Sequence, residues 1–206
     1  MLKVGLTGGY ATGKSFVASE LERHGCHVIH ADELGHRVLL PDGEAFQPTI
    51  HAFGRAILSD GFIDRKKLGQ IVFSSPELLE RLSSFVHPAV FRLEEQFLNE
   101  LERQNPSSIG VVEAAILIET GRYAVYDRII LTVCEISTQI ARGIKRDQLT
   151  REQVLARLEK QMPQEDKKRY AHYVVDTDGS KESTMQQVES IYNELKALAQ
   201  GDTRAN

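Results

Sequence analysis

Eight consecutive residues near the start of the chain, Gly8-Gly9-Tyr10-Ala11-Thr12-Gly13-Lys14-Ser15, fit the pattern G-x-x-x-x-G-K-[ST]. Residue types at this spacing suit the gripping of a phosphate. Backbone N–H groups must converge on the anion, and glycine allows both the curvature and the close approach. Lys14 is placed to reach β- and γ-phosphates as a mobile point charge, and the Ser15 hydroxyl is a ligand for Mg²⁺. A helix beginning at about Gly13 adds the partial positive charge of its N-terminus. Two carboxylates stand at strand ends further on. Asp32 follows the second expected strand, where it is either a helix N-cap or a base that takes a hydroxyl proton, and spacing alone leaves the two even. Glu113 ends the third, as an acid that holds Mg²⁺ through water or as a solvated strand-end residue.

These groups need a scaffold, and the chain supplies an alternating one. Residues 2–7 read as a short buried strand, and Ser15 to His24 keep helical register with Phe16, Val17, Ala18 and Leu21 apolar. Gly25 falls at a helix C′ position, Cys26 to Ile29 start a second strand, and Glu33 to Leu40 form a short helix closed by Pro41-Asp42-Gly43. Strand, turn, helix, strand is the opening of a parallel α/β sheet. From Ala45 to about Gln104 no buried strand is expected, only amphipathic helical pieces separated by Gly54, Gly61 and Pro76. The longest spans about Glu77 to Arg103, with Pro88 as a break or kink. Strands return at Ile109–Val112, Arg128–Val133 and Tyr173–Val175, with a charged helical segment at Ser137–Met162, a closing helix at Ser183–Ala199 and a frayed polar tail at 201–206.

Composition narrows the classes. The chain has 206 residues, 41% hydrophobic and 26% charged, which is globular and not disordered. A net charge of −4 argues against a nucleic-acid binder working through a general basic surface. Cys26 and Cys134 cannot make a disulfide framework and read as reduced core residues. There is no leader pattern ahead of the first strand and no apolar run of the roughly 20 residues a membrane span needs. The expected setting is the cytoplasm, with no membrane partner.

Beyond the loop, further stretches agree with one family. Leu6-Thr7-Gly8-Gly9 through Ser15, then Val28-Ile29-His30-Ala31-Asp32, Asp60-Gly61-Phe62-Ile63-Asp64-Arg65-Lys66-Lys67-Leu68-Gly69, His87-Pro88, Leu117-Ile118-Glu119, Gln139, Arg142, Arg146 and Gln161-Met162 together resemble the dephospho-CoA kinases. The loop alone fits many kinases; the Asp-Gly-x-Ile-Asp-Arg-Lys-x-Leu stretch narrows the choice. The resemblance implies a P-loop NTPase-type five-stranded parallel sheet with flanking helices, a helical substrate-binding insert and a helical lid. It divides the chain into a nucleotide-binding core (1–44, 105–136 and 163–206), an acceptor region (45–104) and a lid (137–162). It also implies ATP and dephospho-CoA as substrates and transfer of the γ-phosphoryl group to the ribose 3′-hydroxyl, while the Mg²⁺ expected with ATP is assigned to Ser15 from the loop motif and to Glu113 from its strand-end place; Glu119 matches a family acid without an assigned role. Asp32 becomes the base, and Lys14, Arg142 and Arg146 neutralise the transferring group. Arg142 and Arg146, four apart, share one helix face; Arg157 is evenly balanced between the lid and a solvated helix. His87, Arg65 and Lys66, with Arg55 and Lys67, are basic groups available to a diphosphate-bearing acceptor. A monomer or small homo-oligomer is expected.

Three positions depart from the family pattern. His30 replaces the first acid of Asp-Ala-Asp, which leaves Asp32 intact. Ala115-Ile116-Leu117 replaces Pro-Leu-Leu, a loss of backbone constraint with a small expected effect. Thr177 stands where an asparagine might meet adenine, so base recognition is not assigned to it. The rival readings are another P-loop small-molecule kinase (nucleoside monophosphate, shikimate or gluconate), a GTPase switch and a nucleotide binder without turnover. The Asn-Lys-x-Asp segment common in guanine-specific switches is missing.

Overall fold

The strand that leads into the Gly-rich loop is the most enclosed element of the chain, and the rest of its unit is arranged to cover it. In the computed structural model, which describes residues 1–201, β1 (Leu2–Gly8) is buried at every position except Lys3. It pairs in parallel with β5 (Ile109–Glu113) on one side and β6 (Arg128–Val133) on the other. Adding β2 (His27–His30) and β7 (Tyr173–Asp176) completes a five-stranded sheet in the order β2-β5-β1-β6-β7. Such central strands need apolar residues on both faces. Val4, Leu6, Val111 and Ile130 supply one face, packing with Val17 and Leu21 of α1 (Lys14–Arg23) and with Val188, Ile191 and Leu195 of α9 (Lys181–Ala199), while buried Val112, Ile129 and Leu131 point to the other. Cys26 and Cys134 are buried and unbridged, and burial pushes the Cys26 thiol up to about 12.

The chain divides into two compact units, residues 1–29 with 98–206, and residues 30–97. The first contains the sheet strands and, after β6, the charged segment. That segment is two helices, α6 (Ile136–Asp147) and α7 (Arg151–Leu158), followed by a short α8 (Gln164–Lys168). Gln148 in the left-handed region ends α6, and Thr150 opens α7 with a capping box to Gln153.

The second unit holds α2 (Ala31–Arg37), α3 (Phe46–Phe53), α4 (Arg65–Val72) and most of α5 (Pro76–Gln104) around Phe46, Ile57, Ile63, Leu68 and Val72. It differs from the sequence expectation in three ways. A two-stranded ribbon, β3 (Leu58–Ser59) with β4 (Phe62–Ile63), interrupts the helices. Its turn is Asp60-Gly61, both left-handed at φ 51° and 84°, the backbone that a tight two-residue hairpin demands. Helix α5 runs unbroken through Pro88. Helix α2 starts at Ala31, two residues earlier than expected. Of the polar tail, residues 202–206 lie outside the described residues. Among those described, no helix is long and apolar enough to cross a membrane.

Gly8 is where strand packing and loop geometry meet. A Cβ there would overlap the Thr132 hydroxyl and lie 2.7 Å from the Thr132 carbonyl oxygen. Gly8→Ala should therefore cost about 1–3 kcal/mol in urea unfolding, as overpacking does. Gly179→Ala, whose nearest neighbour would be 3.6 Å away, is the control expected to stay within about 0.5 kcal/mol.

Candidate functional site

The segment joining β1 to α1 is held in shape by threonines. Thr12, fully buried, donates its hydroxyl to the Gly9 carbonyl at 2.9 Å and shares a 2.7 Å bond with the Thr132 hydroxyl on β6. Thr177, just beyond β7, donates to the Thr12 carbonyl at 2.9 Å. Two residues take left-handed backbone, Ala11 at φ 58° and Gly13 at φ 84°; an alanine in that region is strained and persists only because its surroundings hold it there. Helix α1 starts at Gly13 without a side-chain cap and with no acidic residue in its first turn. Its first N–H groups and its dipole are left for an anion from elsewhere. Lys14 is folded back, donating to the Gly8 and Gly9 carbonyls at 3.0 Å each, so the ammonium is already over the loop.

Ser15 and Glu113 come together from α1 and the end of β5, with the hydroxyl donating to the carboxylate at 3.3 Å. Two hard oxygen donors at this separation suit Mg²⁺, which takes few protein ligands and keeps several waters. No cluster of three or more His, Cys, Asp or Glu that would cage a metal occurs among the described residues.

The helices after β6 bring the cations. Arg142 donates to the Thr177 hydroxyl and carbonyl at 2.9 and 2.5 Å and reaches the Ala11 carbonyl at 3.5 Å. Thr177 is thus a brace between loop and arginine. Arg146 and Arg157 both approach Asp147, and both lie against the ring of Tyr10. The main chain of Tyr10 is gripped as well: its N–H donates to Gln161 at 2.7 Å and its carbonyl accepts from Gln139 at 2.8 Å. One loop amide is therefore bonded to a side chain. Glu119 pairs at 2.8 Å with Lys167, whose side chain is wholly buried, and Lys167 also donates to the Ala115 carbonyl at 3.3 Å. Thr7 donates to the same carbonyl at 3.4 Å, so the residues after Glu113 are tied down without the family's proline.

A cavity of about 690 Å³ adjoins Gly9, walled by Val133, Ile136, Leu155 and Leu158. Its remaining lining carries Glu135, Glu159, Glu165, Asp176 and Asp178 against one lysine, Lys168, which Glu165 neutralises at 2.6 Å. That charge balance disfavours a triphosphate within the cavity.

The other expected residues belong to the second unit. Asp32 is the second residue of α2, exposed, and makes no hydrogen bond or ion pair among the described residues. The N-cap position is His30, without a side-chain capping bond, so of the two readings of Asp32 the helix cap is the one this backbone does not support. Arg65 and Lys66 are exposed in the first turn of α4, where the helix dipole disfavours cations. Asp64 offsets this by accepting from the Lys66 and Lys67 amides at 2.9 and 3.1 Å, which holds its carboxyl below the usual range. Arg65 also lies 3.4 Å from the His36 ring nitrogen. Arg55, in the short turn before β3, is likewise exposed. His87 is half-buried inside α5 beside Phe91, and burial pushes its imidazole pKa down, towards the neutral form.

The Lys167–Glu119 pair gives a direct test of this framework. Glu119→Ala strands a buried ammonium and should cost about 2–3 kcal/mol in thermal or urea unfolding, less than a fully buried pair because Glu119 is partly hydrated. Lys167→Met in the same chain should recover most of the loss.

The model of the dephospho-CoA kinase family matches residues 2–183. The dephospho-CoA kinase of Geobacter metallireducens is 41% identical over 195 residues, covering 94% of this chain and 96% of that protein. That of Aquifex aeolicus is 37% identical over 196 residues, covering 95% and 98%. Among solved structures, a Thermus thermophilus protein superposes with a TM-score of 0.79 at 32% identity, covering 94% of this chain and 97% of its own. The dephospho-CoA kinase from Campylobacter jejuni follows with 0.72 at 25% identity, covering 98% of both. A match over this much of the sequence, on the same α/β framework and with the phosphate loop intact, makes the chain a member of the dephospho-CoA kinase family.

Proposed function

We propose that this ATP-dependent kinase transfers the γ-phosphoryl group of ATP to the ribose 3′-hydroxyl of 3′-dephospho-CoA, the last step of coenzyme A synthesis. The observation that carries the proposal is the loop Gly8–Ser15, braced by Thr12, Thr132 and Thr177 and opening onto an uncapped helix N-terminus. Family membership over residues 2–183 supplies the acceptor and disfavours a nucleoside monophosphate, shikimate or gluconate kinase. The reading places the enzyme in the cytoplasm, as a monomer or small homo-oligomer.

Each step has a residue of this chain to serve it. The amides at the start of α1 and the Lys14 ammonium take the β- and γ-phosphates, with Lys14 exchanging the Gly8 and Gly9 carbonyls for phosphate oxygen. Ser15 and Glu113 would hold Mg²⁺, which supplies charge neutralisation on the phosphates. Asp32, exposed and without a hydrogen-bond partner among the described residues, accepts the proton of the 3′-hydroxyl as that oxygen bonds to the γ-phosphorus. The bond from that phosphorus to the bridging oxygen breaks, and ADP leaves with the electron pair. Arg142 and Arg146 offset the charge of the transferring group. Arg65 and Lys66 are assigned to the acceptor's phosphates; His87 is the weakest member of that set, since its lowered pKa favours the neutral ring.

The test is coupled ADP release with dephospho-CoA against adenylate, shikimate and gluconate. Turnover with dephospho-CoA alone is expected; efficient turnover of another acceptor would replace the assignment. Lys14→Ala should lower kcat by about 10²–10³-fold. Asp32→Asn should lower it by about 10²–10⁴-fold with both substrates still bound; near-normal turnover would remove Asp32 from the chemistry.

A further inference from the structure

Tyr10 occupies an unspecified position of the loop motif, yet the helices after β6 converge on it. We infer that Tyr10 is the seat of this helical segment, a positioning residue whose ring and hydroxyl hold Arg146 and Arg157 at the nucleotide loop. The guanidinium carbons of Arg146 and Arg157 lie 5.2 and 5.3 Å from the centre of its ring, within range of cation–π attraction. Its hydroxyl donates a short bond to Asp147. Asp147 in turn accepts from Arg146 Nε and Nη2 at 2.8 and 3.0 Å and from Arg157 at 3.5 Å. One carboxylate thereby offsets two like charges that would otherwise repel each other on one ring.

The segment is also shaped for this ring. A Cβ at Gly143 would lie 2.7 Å from Tyr10 Cε1 and 3.0 Å from its hydroxyl oxygen, so the glycine leaves a notch in α6 that the ring fills. Gln139 and Gln161 fix the Tyr10 peptide from both ends of the segment. Charge states suit a permanent contact: Arg146, ahead of Tyr10 itself, holds the Asp147 carboxyl far below the usual range, and burial with the Asp147 bond raises the phenol. The seat thus binds an ionised acid to a neutral donor at any ordinary pH. Its consequence for catalysis rests on the kinase reading above; the seat itself does not.

The experiment reads the two separately. Backbone hydrogen exchange over residues 136–162 is followed in the full-length protein without substrates, and kcat and KM are then measured with ATP and dephospho-CoA. Tyr10→Ala and Gly143→Ala should each lose about tenfold in protection of the end of α6 and of α7, while β1 and β5 amides keep theirs. Tyr10→Phe keeps the ring and should retain most of it. In turnover, Tyr10→Ala should lose about tenfold in kcat, with KM for dephospho-CoA changed by less than about twofold, and Tyr10→Phe should recover much of the loss. Wild-type protection in Tyr10→Ala would overturn the seat. Lost protection with unchanged kcat would overturn its positioning role. Should Tyr10→Ala also expose β1 and β5, Gly143→Ala and Asp147→Asn decide by the same criteria. If wild-type protein fails to phosphorylate dephospho-CoA, the kinase reading falls and the exchange result judges the seat alone.

Discussion

The structure turns on a conflict between backbone and bulk at the end of β1. A phosphate loop must bend sharply while keeping its N–H groups outward, yet it is anchored to the most buried strand of the sheet, where every polar group needs a partner. The resolution is a chain of small hydroxyls. Thr132 on β6 donates to the Thr12 hydroxyl in the loop, Thr12 in turn to the Gly9 carbonyl, and Thr177 after β7 to the Thr12 carbonyl. With the carbonyls bonded inward, the amides beginning α1 are available for the anion. The approach of Gly8 to Thr132 makes this possible, and it tolerates no side chain at residue 8.

Charge is sorted on the same framework. The loop gathers Lys14, Arg142, Arg146 and Arg157, each held by carbonyls, a carboxylate or an aromatic ring of the same unit. The adjoining cavity collects carboxylates instead. This charge placement favours an anion at the loop and disfavours one in the neighbouring space. In the mechanism proposed, these cations would pass from internal partners to substrate oxygens, so less desolvation would be required at binding.

Much of this was legible from residue order because local demands dominate. The pattern Gly8 to Ser15 is dictated by backbone geometry within eight residues, and β6 reads directly as Arg128–Val133 because a strand covered on both faces is continuously apolar. What escaped detection depends on distant partners or very short elements. Strands of two residues, β3 and β4, have no period, although Asp60-Gly61 carried the hairpin signal. The burial of Lys167 follows from Glu119, 48 positions earlier, and composition assigns a lysine to the surface. Tyr10 is invisible to a motif that leaves its position open, since its meaning lies in Gly143, Asp147 and Arg157. Asp32 reads as a plausible cap until the helix is seen to begin one residue before it.

In the function proposed, the loop is the seat of the triphosphate, through the amides at the start of α1. Amide chemical shifts of isotopically labelled protein, titrated with a non-hydrolysable ATP analogue and Mg²⁺, test it residue by residue. The largest changes are expected at Gly13, Lys14 and Ser15, with the Tyr10 amide, already bonded to Gln161, changing little. Changes concentrated at Glu135, Glu159 and Asp178, with the loop unmoved, would contradict it.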